Sequence, residues 1–126
     1  MRPKLPTGVI FLFIWCLGWN GGAATSEYAY QGDAKRVDSI QFALACEEPP
    51  TTRGACALGE EPGAVRDSKT LRNTLQIATG TVTLELPKIG AKDHTRYRYY
   101  LRITQKMKGG RKLSWSYRLP LKEVLC

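Results

Sequence analysis

From Val37 onward, apolar and polar residues alternate one by one along the chain. Four positions two residues apart are apolar: Ile40, Phe42, Leu44 and Cys46. A helix would instead repeat its apolar residues every third or fourth position, whereas a period of two is typical of a strand with one buried face. This segment is therefore predicted to be a strand that packs one side against a core.

The last third of the chain carries the clearest hairpin pattern. Residues 97–103 and 113–119 alternate in the same way, and Gly109-Gly110 lies between them. Glycine supplies the positive φ that tight hairpin turns require. We predict a β-hairpin with its tip at these glycines.

Other segments give weaker patterns. Residues 74–78 and 81–86 alternate on either side of Gly80 and predict a second hairpin. The segment 47–70 is rich in Glu, Pro and Gly and is interpreted as loops around one short strand at 55–58. Several short strands separated by turns predict an all-β chain with two antiparallel sheets packed as a β-sandwich.

Residues 1–24 have the layout of a secretory signal peptide. Arg2 and Lys4 precede the apolar run 9–17, and small residues follow up to Ala24. The run is shorter than the roughly 20 residues that span a bilayer, so we predict cleavage near Ala24; the alternative is an uncleaved N-terminal anchor. The remaining residues, 25–126, have the usual size of one β-sandwich domain. We expect the protein to be secreted or extracellular, or to lie at the cell surface in a longer form.

Three cysteines remain after the predicted cleavage: Cys46, Cys56 and Cys126. An odd number allows one disulfide within the domain, and spacing alone does not assign its partners; Cys46–Cys56 is one candidate pair. Cys126, the last residue, is the candidate for an intermolecular disulfide in a homodimer, the alternative being that it has no such role.

Positive charge is concentrated near the C-terminus. Residues 25–87 contain six Lys or Arg against nine Asp or Glu, and residues 88–126 contain eleven against two. Such asymmetry is typical of proteins with an anionic partner, and it is also common on solvated strand faces. Four cations around the predicted hairpin tip are candidates for binding a glycosaminoglycan or another polyanion: Lys106, Lys108, Arg111 and Lys112. The alternative is that they keep strand edges from pairing with other chains.

Signals for catalysis are weak. His94 is the only histidine, and its spacing from the cysteines lacks the short paired steps of structural zinc sites. Gly109-Gly110 is not followed by a predicted helix and so does not form a phosphate-binding loop. We therefore predict that the protein is not an enzyme, uses no cofactor or metal, and does not bind nucleic acid.

One pattern resembles the E-to-F segment of immunoglobulin V-type domains. It reads Leu84-x-Leu86-x-x-Ile89-x-x-x-Asp93-x-Thr95-x-Tyr97-x-Tyr99, and Phe42-x-Leu44-x-Cys46 is similar to the B strand of that family. The resemblance implies an immunoglobulin-like sandwich in which Tyr97 is the corner tyrosine and Asp93 fixes the preceding turn. Tyr99 stands where the family has its second bridge cysteine, so the resemblance implies that it faces Cys46 between the sheets without a covalent bond. The chain also lacks the usual tryptophan between these two positions.

The resemblance further implies a binding module, secreted or part of an ectodomain, that recognises a protein partner in immunity or cell adhesion. In V-type domains the sheet containing the last hairpin contacts the partner. Aromatic residues and arginine are frequent in interface hot spots, which makes five residues of this region candidates: Arg98, Tyr100, Arg102, Trp115 and Arg118. The alternative function is a soluble cationic effector that binds polyanions through the hairpin tip.

Overall fold

In the computed structural model, the chain is described over residues 9–16, 24–30, 35–47, 55–57, 59–72, 74–78, 80–87, 96–119 and 121. These residues form two antiparallel sheets, which confirms the predicted all-β sandwich. The elements are β1 (Val9–Cys16), β2 (Ala24–Tyr30), β3 (Val37–Cys46), β4 (Val65–Leu71), α1 (Thr74–Ala78), β5 (Gly80–Glu85), β6 (Tyr99–Met107) and β7 (Lys112–Arg118). The three-stranded sheet has the order β1-β2-β5, and the four-stranded sheet has the order β4-β3-β6-β7.

The core lies between the two sheets. Tyr28 of β2 stacks on Phe42 of β3 with ring centroids 5.9 Å apart, and the ring of Tyr30 meets Phe42 edge-on at 6.1 Å. The amide of Gln105 in β6 donates a 2.9 Å hydrogen bond to the Tyr30 hydroxyl. Aromatic packing and one buried polar contact thus join β2 to the four-stranded sheet. Further buried apolar residues include Val82, Leu84 and Leu86.

The two clearest strand predictions are confirmed. The alternating residues of β3 are buried, as expected for a strand against a core. The last hairpin forms from β6 and β7 and extends further toward its tip than predicted. At the tip, Gly110 has φ of 90°, a conformation that glycine adopts without steric cost.

Two of the weaker predictions are wrong. Residues 74–78 form α1 and not a strand; Ile77 is buried but Leu75 is 77% exposed. The end of the segment 47–70, interpreted as loops, lies in β4 (Val65–Leu71). Only Leu71 of this strand is buried, because β4 lies at the edge of its sheet, and an edge strand of polar residues leaves no apolar alternation to detect.

The resemblance to V-type domains also implied a contact between Cys46 and Tyr99 that the structure arranges differently. In that family the B and F strands belong to opposite sheets and are joined by the inter-sheet bridge. Here Cys46 and Tyr99 are partners in β3 and β6, which are adjacent strands of one sheet. The expectation that they face each other across the sandwich is therefore wrong, although the two residues do lie side by side.

The predicted signal peptide contains β1. In the full chain β1 pairs with β2 from Cys16 opposite Ala24 to Val9 opposite Tyr30, so cleavage near Ala24 would remove this edge strand. Cleavage stays a prediction. No helix in the described parts of the chain has the length and apolar character needed to cross a bilayer.

Candidate functional site: the outward face of the four-stranded sheet

The four-stranded sheet turns one face toward the core and the other away from it. Leu101 and Ile103 of β6 are fully buried on the core side. Because successive side chains of a strand point to opposite faces, Tyr100 and Arg102 point away from the core. We call this side of β3, β6 and β7 the outward face.

Strand pairing assembles the outward face in rows across the sheet, since residues directly opposite each other share a face. Tyr100 lies between Ala45 of β3 and Arg118 of β7. In the next row, Arg102 lies between Ala43 and Ser116. Further along, the hydroxyls of Thr104 and Ser114 are 3.3 Å apart. Three of the predicted partner-binding residues, Tyr100, Arg102 and Arg118, are thus neighbours on one surface.

Arg98 extends this surface. The rings of Tyr97 and Tyr99 contact each other at 6.0 Å, which places both residues on the core side and Arg98, between them, on the outward side. Its backbone is held from two directions: its N–H donates to the Ala55 carbonyl at 2.9 Å, and its carbonyl accepts from the Glu47 N–H at 2.8 Å. Arg98 therefore occupies a defined position at one end of the outward face.

The outward face is cationic. The described outward residues that pair across the three strands are uncharged or cationic: Ser39, Gln41, Ala43, Ala45, Tyr100, Arg102, Thr104, Lys106, Lys112, Ser114, Ser116 and Arg118. Two carboxylate residues border them: Asp38 is exposed at the irregular start of β3, and Glu47 lies opposite Arg98, to whose carbonyl its N–H donates. Ala43 and Ala45 are short and buried, so the larger half-buried side chains of Tyr100 and Arg102 dominate this part of the surface. The arrangement presents a tyrosine among three arginines.

Trp115 does not belong to this surface. It lies opposite Ile103, which lies opposite Phe42, and its half-buried side chain packs against the core. Its residue type made it a candidate for partner binding, but its place in the alternation of β7 puts it on the core side. Trp115 therefore does not share a surface with Tyr100, Arg102 and Arg118, and its role in partner binding stays a prediction.

Tyr99 anchors the loop that supports Arg98. Its hydroxyl accepts a 2.9 Å hydrogen bond from the Ala57 N–H and donates to the Glu60 carboxylate. Glu60 in turn pairs with the Arg66 guanidinium at 2.7 Å. Burial raises the pKa of the Tyr99 hydroxyl, and its bond to Glu60 raises it further, so the hydroxyl stays protonated and available as a donor.

A disulfide provides the second attachment of this loop. Cys46 and Cys56 are bonded, with their Cα atoms 5.6 Å apart, which was one of the pairings that the sequence left open. Cys46 ends β3, and Cys56 lies next to Ala55, the acceptor of the Arg98 N–H. The disulfide and the Tyr99 hydroxyl together hold residues 55–57 against the end of β6.

Arg66 also links the two sheets at their shared edge. Its guanidinium donates to the Glu85 carbonyl of β5 at 3.1 Å, and the Glu85 N–H donates to the Asp67 carboxylate at 2.9 Å. An open polar cleft lies here, lined by Glu60, Val65, Arg66, Asp67 and Glu85. Within the described residues, no group of three or more His, Cys, Asp or Glu is arranged to hold a metal ion.

The predicted polyanion-binding residues form a second cluster. Lys106, Lys108, Arg111 and Lys112 are all exposed around the tip of the β6–β7 hairpin. The structure adds two cations that sequence reasoning missed: the Lys108 N–H donates to the Arg36 carbonyl at 2.9 Å, and Lys35 precedes Arg36. They lie too far away in the sequence for any local pattern to connect them with the hairpin.

The remaining candidate residues are Tyr97, Asp93 and Cys126. Tyr97 is partly buried and packs against the core. Asp93 and Cys126 lie outside the described residues, so the turn and the intermolecular disulfide stay predictions. Comparison of the chain with models of protein families, with curated proteins and with solved structures finds no match.

Proposed function

We propose that this protein is a binding module, secreted or part of an ectodomain, whose outward face recognises an acidic region of a protein partner. The observation that carries the proposal is the grouping of Tyr100, Arg102 and Arg118 on one surface, which Arg98 extends at the end where Glu47 lies opposite it. The resemblance to immunoglobulin V-type domains points to the same class of function, in immune recognition or cell adhesion.

The residue types favour recognition of carboxylates. An arginine presents several N–H donors in a planar fork that matches a carboxylate, and such charge-assisted pairs are among the stronger hydrogen bonds. Tyr100 adds an aromatic ring beside Arg118. Tyrosine and arginine are both enriched among the interface residues that contribute most to affinity.

The same residues favour binding over catalysis. Among the described outward residues, serine, threonine, tyrosine and arginine offer hydrogen-bond donors, and none of these residues is a histidine that could act as a general base. The scaffold also suits a recognition surface. Strands support it on rigid backbone, and the attached loop at residues 55–57 holds Arg98 in place.

The proposal is tested by measuring the affinity of the purified chain for an array of cell-surface ectodomains from the same organism. For each ectodomain that binds, Tyr100→Ala and Arg102→Ala are expected to weaken affinity by about tenfold or more, the size typical of a hot-spot residue. Thr104→Ala and Ser114→Ala, which alter the same face without removing an aromatic ring or a charge, are the matched controls and should change affinity by less than about threefold.

Circular dichroism and thermal unfolding establish that each variant is folded. If no ectodomain binds, or if a folded Tyr100→Ala/Arg102→Ala double variant binds as tightly as the wild type, the proposal is wrong.

A further inference from the structure

We propose that the protein has a second binding site, for a sulfated glycan, at the end of the sandwich that carries the hairpin tip. Six exposed cations form this site, which we call the cationic end: Lys35, Arg36, Lys106, Lys108, Arg111 and Lys112. They come from two separate segments, the turn before β3 and the tip of the β6–β7 hairpin, which comprises the end of β6, the turn and the start of β7. This site does not depend on the proposed protein partner.

Backbone hydrogen bonds hold the two segments of the cationic end together. The Met107 N–H donates to the Arg111 carbonyl at 2.7 Å, and the Gly110 N–H donates to the Met107 carbonyl at 2.9 Å. The Lys108 N–H reaches across to the Arg36 carbonyl at 2.9 Å. Binding a polyanion here would require side chains to adjust but would not require the turns to be ordered first, which lowers the cost of association.

One pair within the cationic end opposes folding. Lys106 and Lys112 are direct partners in β6 and β7, and like charges directly opposite each other destabilise a sheet. Residues that destabilise a fold are expected at positions where the function of the protein requires them. A bound sulfate group beside this pair would convert the repulsion into two favourable interactions.

Protection of sheet edges does not account for this cluster. Charged residues commonly keep edge strands from pairing with other chains, and Lys112 lies on the edge strand β7. Lys106, however, belongs to β6, which has β3 and β7 as neighbours on its two sides. Lys35 and Arg36 precede the first residues of β3, which pair with β6 and not with β4. Edge protection therefore leaves the position of Lys106 opposite Lys112 without an explanation.

The surroundings favour a glycan over a membrane or a nucleic acid. Among the described residues, Val65 and Leu75 are the exposed large apolar side chains. Val65 pairs with Ala45 at the opposite end of the sheet, and Leu75 of α1 is one side chain rather than the apolar face with which a helix enters lipid. The segments 35–41 and 104–114 contain no aromatic residue on which bases could stack. The Cys46–Cys56 disulfide indicates an oxidising compartment, which extracellular sulfated glycans share.

The carboxylate content of these segments is also low. Asp38 is the single acidic residue within 35–41 and 104–114. A run of cations with so few acids is the type of sequence that forms heparin-binding patches.

The test uses immobilised heparin as the probe and compares three double variants, each of which removes one lysine and one arginine. Lys108→Ala/Arg111→Ala and Lys35→Ala/Arg36→Ala alter the two segments of the cationic end. Lys69→Ala/Arg96→Ala is the matched control, because both residues are exposed and lie away from this end, in the middle of β4 and before β6.

At about 0.1 M NaCl, we expect each site variant to lose affinity for heparin by about fivefold or more and the control to lose less than about twofold, since nearby ion pairs release more counterions than distant charges do. Affinity of the wild type should fall steeply as salt is raised, and less steeply for the site variants. Fully desulfated heparin should bind weakly to all of them.

Several results would overturn the proposal. An equal loss in the control variant would show attraction by net charge alone, and an unchanged affinity of Lys35→Ala/Arg36→Ala would remove the two-segment site. Single-stranded DNA or phosphatidylserine vesicles that bind as tightly as heparin would exclude a glycan-specific site. Because the assay contains no protein partner, its outcome is independent of the function proposed for the outward face.

Discussion

The two faces of β6 share one backbone but differ in what their side chains do. Leu101 and Ile103 are fully buried against the core, whereas Arg102, between them in the sequence, lies on the outward face. Burial of each large apolar side chain stabilises a fold by about 1.5–3 kcal/mol, while surface substitutions usually change stability by less than about 0.5 kcal/mol. The core side is therefore constrained by folding, and the composition of the outward face is free to serve binding.

The strongest test of this contrast substitutes neighbouring residues on opposite faces. Leu101→Ala should lower the free energy of unfolding by about 2–5 kcal/mol, because it leaves a cavity in the core. Arg102→Ala, the matched control, should change it by less than about 0.5 kcal/mol. Urea unfolding followed by circular dichroism measures both. A large loss of stability in Arg102→Ala would show that the outward face also has a structural role.

The disulfide joins a buried position on the core side to the loop that supports Arg98. Cys46→Ser/Cys56→Ser should lower the free energy of unfolding by about 3 kcal/mol, from the loop-closure entropy that the bond removes from the unfolded chain. The same urea titration detects this change. If the double variant matched the wild type in stability, the hydrogen bonds of Tyr99 and Arg98 would suffice to hold the loop.

The smallest expected effect on stability is that of Tyr99→Phe. Tyr99 is the tyrosine of β6 whose hydroxyl lies on the core side. Tyr99→Phe leaves the Ala57 N–H and the Glu60 carboxylate without this partner and should cost about 1–3 kcal/mol near neutral pH. Tyr100→Phe, on the outward face, is the matched control and should cost less than about 0.5 kcal/mol.

The raised pKa of Tyr99 adds a dependence on pH to this prediction. Its stabilising contribution is fully present below the ordinary tyrosine pKa of about 10 and falls above it, because tyrosine in the unfolded chain then ionises while folded Tyr99 keeps its proton. Wild-type stability should therefore drop between about pH 9 and pH 11, and less so in Tyr99→Phe. An identical drop in both proteins would contradict the assignment to Tyr99.

Much of the candidate site was predictable because it lies within one hairpin. The alternation in residues 97–103 and 113–119 predicted two paired strands, and pairing within a hairpin is local. It places Tyr100 beside Arg118 once the turn is known. Trp115 became a candidate because of its residue type, whereas its pairing with Ile103 puts it on the core side.

The sequence by itself determined the strand character of β3, β6 and β7, the turn at Gly110 and the cationic character of the last third of the chain. The two-residue alternation of apolar side chains, the glycines of the turn and the charge are all local properties of the sequence. Only the tertiary structure decided that β3 and β6 are neighbours in one sheet, that polar β4 is a strand, and that Arg36 meets Lys108. Those features depend on hydrogen bonds between segments that lie far apart in the chain. No local sequence pattern in either segment indicates which other segment it pairs with.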